Sequence, residues 1–539
     1  MEIRLRFFIS VLMSMAFLGF SGCRPEPDPE SDPEPEPLPT LVAKDVVTPV
    51  DFGDGSTRTV DLSKLELSPG KQIYLVTVNT NSTVVKAGDT GSAVGTYRRI
   101  SGSDIGPSDF LLDSEADPPG HHPGVVAFNA NPPPITPDML QNRNIDQLRS
   151  AGVIPHTVGD TKDFWVQALY GNTYWIQKSA TLRAIGTYCN IWVIENWGAY
   201  PVSDTTAQAL AAKFDQIYPL ETKILGYEYG GGPGGNGGVD GDPKIQILVY
   251  DFNGGTGVQG SSAAGFFAPW DIYAQDVLDS SIWRNYKTNL AEMFYINAEQ
   301  LNGSPDYIYS GLVHEFQHMI NFNVKYLRHS KFSASWYNEM LSMLAEDMIS
   351  PLIGVVPTNS RHPIGTRIRR FLTWYFNEGV TDWNGDSSYS YKYAFGAYLA
   401  RNYGGAELVK NILANDSINI DSISSALKQT AGIDFNYAVE KFAEAFIFSD
   451  PAGGRATFNQ TDTDTINGTA YTFTGFDIWS DRYNLTVPGP TIYSLWNQPE
   501  MRPYSVYLQS YDDWKTGTMP SVTLNKPAAD GVKLYLMIR

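Results

Sequence analysis

His314-Glu315-Phe316-Gln317-His318 constrains this chain more than any other stretch of similar length. Two imidazoles four positions apart share a face on an α-helix, where residues i and i+4 lie one turn apart. The flanking Leu312, Val313, Phe316, Met319 and Ile320 are apolar. The segment therefore reads as a core helix, over about 306–325, whose polar residues look into a cleft. Two imidazoles and a carboxylate buried among apolar neighbours are costly unless something satisfies them. A metal ion does so, and Glu315, beside the first histidine, can then polarise a water at that ion. Alone the pattern is only moderately specific, and a buried polar trio is its plainer alternative.

A second helical stretch, over about 333–349, raises the constraint. It reads Trp336-Tyr337-Asn338-Glu339-Met340-Leu341-Ser342-Met343-Leu344-Ala345-Glu346-Asp347. A three-residue zinc site needs a ligand from a separate element. Glu339 is well placed to supply it, with the fourth position open for water. Glu339, Ser342 and Glu346 follow 3–4 spacing and share one face.

His-Glu-x-x-His followed by Trp-x-Asn-Glu-x-x-Ser-x-x-x-Glu resembles the gluzincin metallopeptidases. Within them, His314 to Phe322 and Ala345-Glu346-Asp347 are most similar to the hyicolysin-type (M30) secreted bacterial peptidases. The resemblance is strongest over about 286–404. It implies that His314, His318 and Glu339 bind one catalytic zinc ion (Zn2+). Glu315 would be the general base and later the proton donor to a departing amine. Glu346 and Asn338 would stand behind the ligands, Glu346 against a histidine's other nitrogen. The metzincin pattern needs Gly and His where Asn321 and Val324 stand, so that class is excluded. The Gly-x-Met-Glu-Asn signature of zinc aminopeptidases is missing, which favours an endopeptidase. Gluzincins also use a downstream Tyr or His to stabilise the oxyanion. Tyr393, opening a helix-like run, is the choice here. Tyr391 and Tyr389 remain alternatives, and aromatic packing is the plain reading of all three.

The remaining sequence sets bounds. A chain of 539 residues is too long for one core. Its net charge of −19 argues against nucleic acid as a partner. Arg367, Arg369 and Arg370 form the nearest thing to a basic cluster, and they read as a helix face. Residues 1–22 have the layout of a signal peptide: Arg4 and Arg6, an apolar run from Phe7 to Phe20, then Ser21 and Gly22. Cys23 follows in a context similar to a bacterial lipobox, although Phe20 stands where an aliphatic residue is usual. Lipid on Cys23 and membrane attachment are expected, facing periplasm or cell surface. Residues 23–40 alternate Pro with acids and cannot pack, so they read as an extended tether. Cys189, in an apolar run, reads as a buried thiol.

The fold class expected is α+β. A gluzincin-like core, with mixed sheet, active-site helices and helical subdomain, spans 156–452. A β-rich accessory domain (41–155) precedes it and a C-terminal β-rich domain (453–539) follows. Strands are expected at Ile73–Asn79, Gly186–Ile194 and Lys244–Tyr250. Gly265-Phe266-Phe267 reads as an edge strand able to hold a substrate backbone. Asp240 and Asp242, closing a glycine-rich loop, suggest calcium (Ca2+). No glutamate closes an EF-hand there, so a solvated turn is preferred. His121 and His122 lack a partner at useful spacing for a metal. Taken together, the chain reads as a surface-tethered zinc endopeptidase acting on a peptide or protein substrate. The competing readings are a surface binding or adhesion protein on the same scaffold and a zinc hydrolase of a non-peptide bond.

Overall fold

A computed structural model describes residues 41–42, 46–62, 71–91, 93–94, 125, 128–129, 131–134, 156–167, 175–254, 263–355, 363–384, 386–483, 488–492, 500–510 and 521–539. The expected signal peptide, Cys23, the tether and the His121-His122 pair lie outside them. The α+β expectation holds.

The N-terminal strands are β1 (Leu41–Val42), β2 (Val47–Pro49), β3 (Thr57–Asp61), β4 (Ile73–Asn79) and β5 (Ala93–Val94). The central sheet uses β6 (Thr161–Gln167), β7 (Trp175–Ile185), β8 (Cys189–Ile194), β9 (Ile245–Tyr250), β10 (Gly265–Phe267) and β11 (Met293–Asn297), in the order β10-β11-β9-β8-β7-β6. Strands β8, β9 and β11 run parallel, and all their residues are buried. Covering on both faces explains their largely apolar runs, in which Asn190, Gln246 and Asn297 are also buried. Strands β6 and β7 are antiparallel and alternate between buried and exposed positions, because one face meets solvent. The expected strand from Gly186 starts late: Gly186 lies in the turn between β7 and β8. Cys189 is buried, as expected, and burial raises its thiol pKa.

Helix α1 (Asp204–Leu225) is capped by Ser203, whose hydroxyl accepts from Thr206 N at 3.1 Å. It lies across β7 and β8. Two short helices, α2 (Gln275–Asp279) and α3 (Ala298–Gly303), precede α4 (Pro305–Asn321). Phe214 of α1 joins the layers, with ring centroids 5.7 Å from Phe294 on β11 and 5.2 Å from Phe316 on α4. Phe316 lies two residues from each histidine of the motif, so anchoring it against α1 turns the histidines to the opposite side of the helix. Each such buried phenylalanine contributes roughly 1.5–3 kcal/mol.

A π-helical turn (Phe322–Leu327) continues α4. Then come α5 (Ser335–Ile349), α6 (Pro363–Trp374), α7 (Asp386–Tyr403), α8 (Gly405–Ala414), α9 (Asn419–Ala431) and α10 (Phe435–Ile447). Helix α5 packs between α4 and α7. Its crossing with α7 is close because Gly396 has no side chain; a Cβ there would lie 2.7 Å from Met340 Cγ.

The flanks differ from expectation. The hairpin β12 (Asp462–Ile466) and β13 (Thr469–Phe473) packs on α8 and α5, so the helical region extends past residue 452. Strands β14 (Ser505–Ser510), β15 (Ser521–Asn525) and β16 (Val532–Ile538) pair with the N-terminal strands in two four-stranded sheets, β1-β3-β15-β5 and β14-β4-β16-β2. The two β-rich ends are therefore one sandwich rather than separate accessory and C-terminal domains. Ile73, Leu75, Val522, Leu524, Leu534 and Leu536 form its interior. Tyr74, Val76 and Val78, on the other face of β4, join the core of the central sheet and helices. Strand β4 is buried throughout because each face has a partner.

Candidate metal centre

Helix α4 presents His314 and His318 from one face, both nearly buried, with ring centroids 4.7 Å apart. Glu339 enters from α5. Its carboxylate oxygens lie 3.0 Å from His314 Nε2 and 3.0 Å from His318 Nε2. The opposite ring nitrogens are also engaged. His314 Nδ1 lies 2.7 Å from Glu346 Oε1, and His318 Nδ1 lies 3.1 Å from Ser342 Oγ. Ser342 in turn donates to Gln317 Oε1. Acceptors at both Nδ1 atoms favour the tautomer that leaves an Nε2 lone pair on each ring. Two lone pairs and a carboxylate then face one point, an arrangement suited to a cation. With no cation between them, burial would lower the His314 pKa, but Glu339 and then Glu346 outweigh it and raise it to about 10, so a bound cation takes the place of the Nε2 proton. Among the described residues, His314, His318 and Glu339 are the only three or more His, Cys, Asp or Glu side chains whose ligand atoms lie within 4.8 Å of one another. The donor set, two imidazoles and one carboxylate, fits zinc.

Behind these residues lies an ion pair that the sequence did not reveal. Arg367 of α6, fully buried, donates to Glu346 Oε2 at 3.1 Å and to Oε1 at 2.9 Å. Burial would raise Glu346, but Arg367 and His314 together hold it below the ordinary carboxylate value. The Arg367 cluster is a helix face, as expected, but this member points inward. The available signal was its position beside Ile368 and one turn before Phe371, on the apolar side of α6.

Glu315 lies on the sheet side of the cleft. Its Oε2 accepts from the backbone N–H of Phe267, on edge strand β10, at 2.8 Å. Gly265 permits this approach, since a Cβ there would sit 2.5 Å from Tyr295 O and 3.2 Å from Glu315 Cγ. The cleft is lined by β10, by His314, Glu315, His318 and Asn338, and by Asn321, Phe322, Lys325 and Tyr326 around the π-helical turn. Lys325 is itself buried and donates to Ile412 O and Asn415 O at the end of α8, at 2.7 and 2.5 Å. There it meets the negative end of the helix dipole.

Tyr393 requires a correction. Its hydroxyl donates to Asp347 Oδ2 at 3.0 Å, and Arg401 holds the same oxygen at 2.9 Å. It does not line the cleft. Tyr389, one turn earlier on α7, does, beside His314, Glu315 and His318. A one-turn displacement of about 5.4 Å separates a cleft residue from a core residue here. Asn338, expected behind the ligands, lines the cleft.

The aspartates considered for calcium are engaged by protein donors. Asp242 accepts from Lys244 N at 3.0 Å, Asn190 Nδ2 at 2.9 Å and Gln246 Nε2 at 3.0 Å. Asp240 accepts from Asp242 N at 2.9 Å, and burial raises its pKa to about 7. This is a hydrogen-bonded turn more than a solvated one, and no third carboxylate completes a calcium site among the described residues.

Two imidazoles one helical turn apart, a glutamate from the next long helix and a further glutamate against an edge strand are the parts of a metallopeptidase centre. Comparison with known families agrees. The chain belongs to the peptidase M30 family, whose sequence profile matches residues 175–458, more than half its length. It is also similar to the neutral metalloprotease ShpI of Staphylococcus hyicus, 29% identical over 273 residues. That match covers 47% of this chain and 54% of ShpI, so the chain spans about half the length of this relative.

Proposed function

We propose that the protein is a zinc-dependent endopeptidase acting on peptide or protein substrates, exported and held at a membrane by lipid on Cys23. The observation that carries the catalytic reading is the convergence of His314, His318 and Glu339 at 3.0 Å contacts, beside Glu315 and an edge strand. Zinc held by these three side chains supplies a Lewis acid that acidifies water and polarises a carbonyl. Glu315 accepts the proton of the attacking water and returns it to the departing amine nitrogen. The Phe267 N–H fixes one of its carboxylate oxygens and so orients the group. Strand β10 offers a backbone edge on which an extended peptide can align by strand addition. Tyr389, at the cleft wall, donates to the developing oxyanion. Glu346 and Ser342 hold the two imidazoles, and Arg367 holds Glu346.

The reading is tested by cleavage of an unfolded protein before and after chelation. Cleavage should cease on chelation and return with added zinc. Cleavage indifferent to chelator would refute it. The tyrosine assignment makes a separate prediction. Tyr389→Phe should lower kcat by about 10²-fold or more, the usual cost of losing one oxyanion donor. Tyr393→Phe should leave kcat near the parent value but cost about 1.5–3 kcal/mol of stability, as for a hydrogen bond to a charged group. Kinetics and urea midpoints of the two variants decide it, and the reverse pattern would return the role to Tyr393.

Support for the tether comes from the sequence of residues 1–40. Residues 1–22 are proposed to be removed, leaving Cys23 to carry the lipid and 23–40 to act as spacer. Incorporation of labelled fatty acid should be lost in Cys23→Ser; equal labelling of the two proteins would rule this out.

A further inference from the structure

Two residues of the N-terminal region reach the cleft. Val125 and Asn129 line it together with His314, Glu315 and His318. Between them in sequence, Phe128 is fully buried in an aromatic pocket just beyond edge strand β10. Its ring centroid lies 5.0 Å from Trp283, 5.5 Å from Tyr273, 5.8 Å from Trp270 and 5.9 Å from Tyr286. The backbone beyond it is held by three side-chain donors. Trp283 Nε1 donates to Asn131 O at 2.8 Å. Tyr273, on the strand side, donates to Pro133 O at 3.0 Å, and Tyr326, on the π-helical turn, donates to the same oxygen at 2.8 Å. Asn129 Oδ1 is buried without a hydrogen-bond partner among the described residues.

These contacts are of the kind a bound peptide makes. One bulky side chain fills an aromatic pocket, and side-chain donors from separate elements take the backbone carbonyls that follow it. We propose that Val125, Phe128, Asn129 and residues 131–133 belong to a tethered occupant of the substrate groove. The pocket holding Phe128 is then a subsite for a bulky aromatic side chain of a peptide substrate, and the segment competes with substrate for it. The proposal rests on the peptidase reading for what the groove binds, but not for the contacts themselves. Self-occupancy lowers apparent affinity by the fraction of molecules in which the groove is filled.

The test uses the full mature protein loaded with zinc, its Phe128→Ala and Tyr273→Phe variants, and a fluorescent peptide of residues 123–135. Peptide binding is read by anisotropy, and hydrolysis with an internally quenched peptide containing phenylalanine. The Phe128→Ala protein should bind the peptide about tenfold more tightly than the parent does, because its own segment no longer competes. Its kcat/KM should rise by a similar factor, mainly through KM. The same peptide with alanine at position 128 should fail to bind. Tyr273→Phe keeps the pocket ring and removes one grip on Pro133, so it should shift binding the same way by a few-fold. This variant decides the matter if Phe128→Ala does not fold. Binding no tighter in either variant, or equal binding of the two peptides, overturns the proposal. Hydrolysis without the predicted binding changes would leave the peptidase reading standing and remove the occupant. The predicted binding without hydrolysis would do the reverse.

Discussion

Glu315→Gln should leave zinc binding intact and lower kcat for peptide hydrolysis by about 10²–10⁴-fold, the usual contribution of a positioned general base. The substitution is close to isosteric. A glutamine carbonyl oxygen can still accept the Phe267 N–H that Glu315 Oε2 accepts now, so β10 and α4 keep their contact. The three side chains proposed to hold zinc are untouched. What is lost is an oxygen that can take a proton. Metal analysis of the variant beside single-turnover kinetics checks both halves. A variant that binds zinc and retains more than about a tenth of the parent rate would show that Glu315 is not the base.

Arg367→Met should be the most destabilising single change in the layer behind the histidines. Arg367 and Glu346 are both essentially buried and joined by two hydrogen bonds. Removing one partner of such a pair leaves an uncompensated buried charge and costs about 3–5 kcal/mol. Glu346 would then be driven towards its protonated form and would hold His314 Nδ1 less firmly. Loss of an outer partner of a metal-binding histidine typically weakens metal affinity by about 10–100-fold. Urea unfolding in chelator isolates the stability term from metal linkage, and competition with a zinc indicator gives the affinity. The double variant Arg367→Met with Glu346→Gln should recover much of the stability, since no buried charge remains. A single variant within about 0.5 kcal/mol of the parent, the range of ordinary surface substitutions, would contradict this account of the ion pair.

The contrast between Glu315 and Arg367 shows what the sequence could carry. The His314–His318 pair, Glu315 and the apolar flanks of α4 are a local pattern, and local periodicity placed them. The same holds for the helical stretches, whose expected and observed limits differ by a few residues, and for strand Ile73–Asn79. The role of Arg367 depends on which face of α6 meets α5, a tertiary fact. Tyr393 and Tyr389 share a face of one helix, and only the crossing of α7 with α5 decides which reaches the cleft. Strand β3 pairs with β15 across more than four hundred residues, for example Thr59 with Thr523, so the sandwich could not be read from neighbouring positions. Phe128 sits in a proline-rich stretch whose composition reads as a loose connection. Nothing local marks it as the residue that fills an aromatic pocket.

The central claim is that zinc is held by two imidazoles of α4 and a carboxylate of α5. X-ray absorption at the zinc edge, on the purified full chain and on Glu339→Ala and His318→Ala variants, tests it most directly. The account predicts about one zinc per parent chain, with imidazole scattering from two rings and nearest nitrogen and oxygen neighbours at about 2.0–2.2 Å. It also predicts weakened binding in both variants, with one ring fewer in His318→Ala. A parent that binds no zinc, or a ring signal unchanged when His318 is replaced, would contradict it.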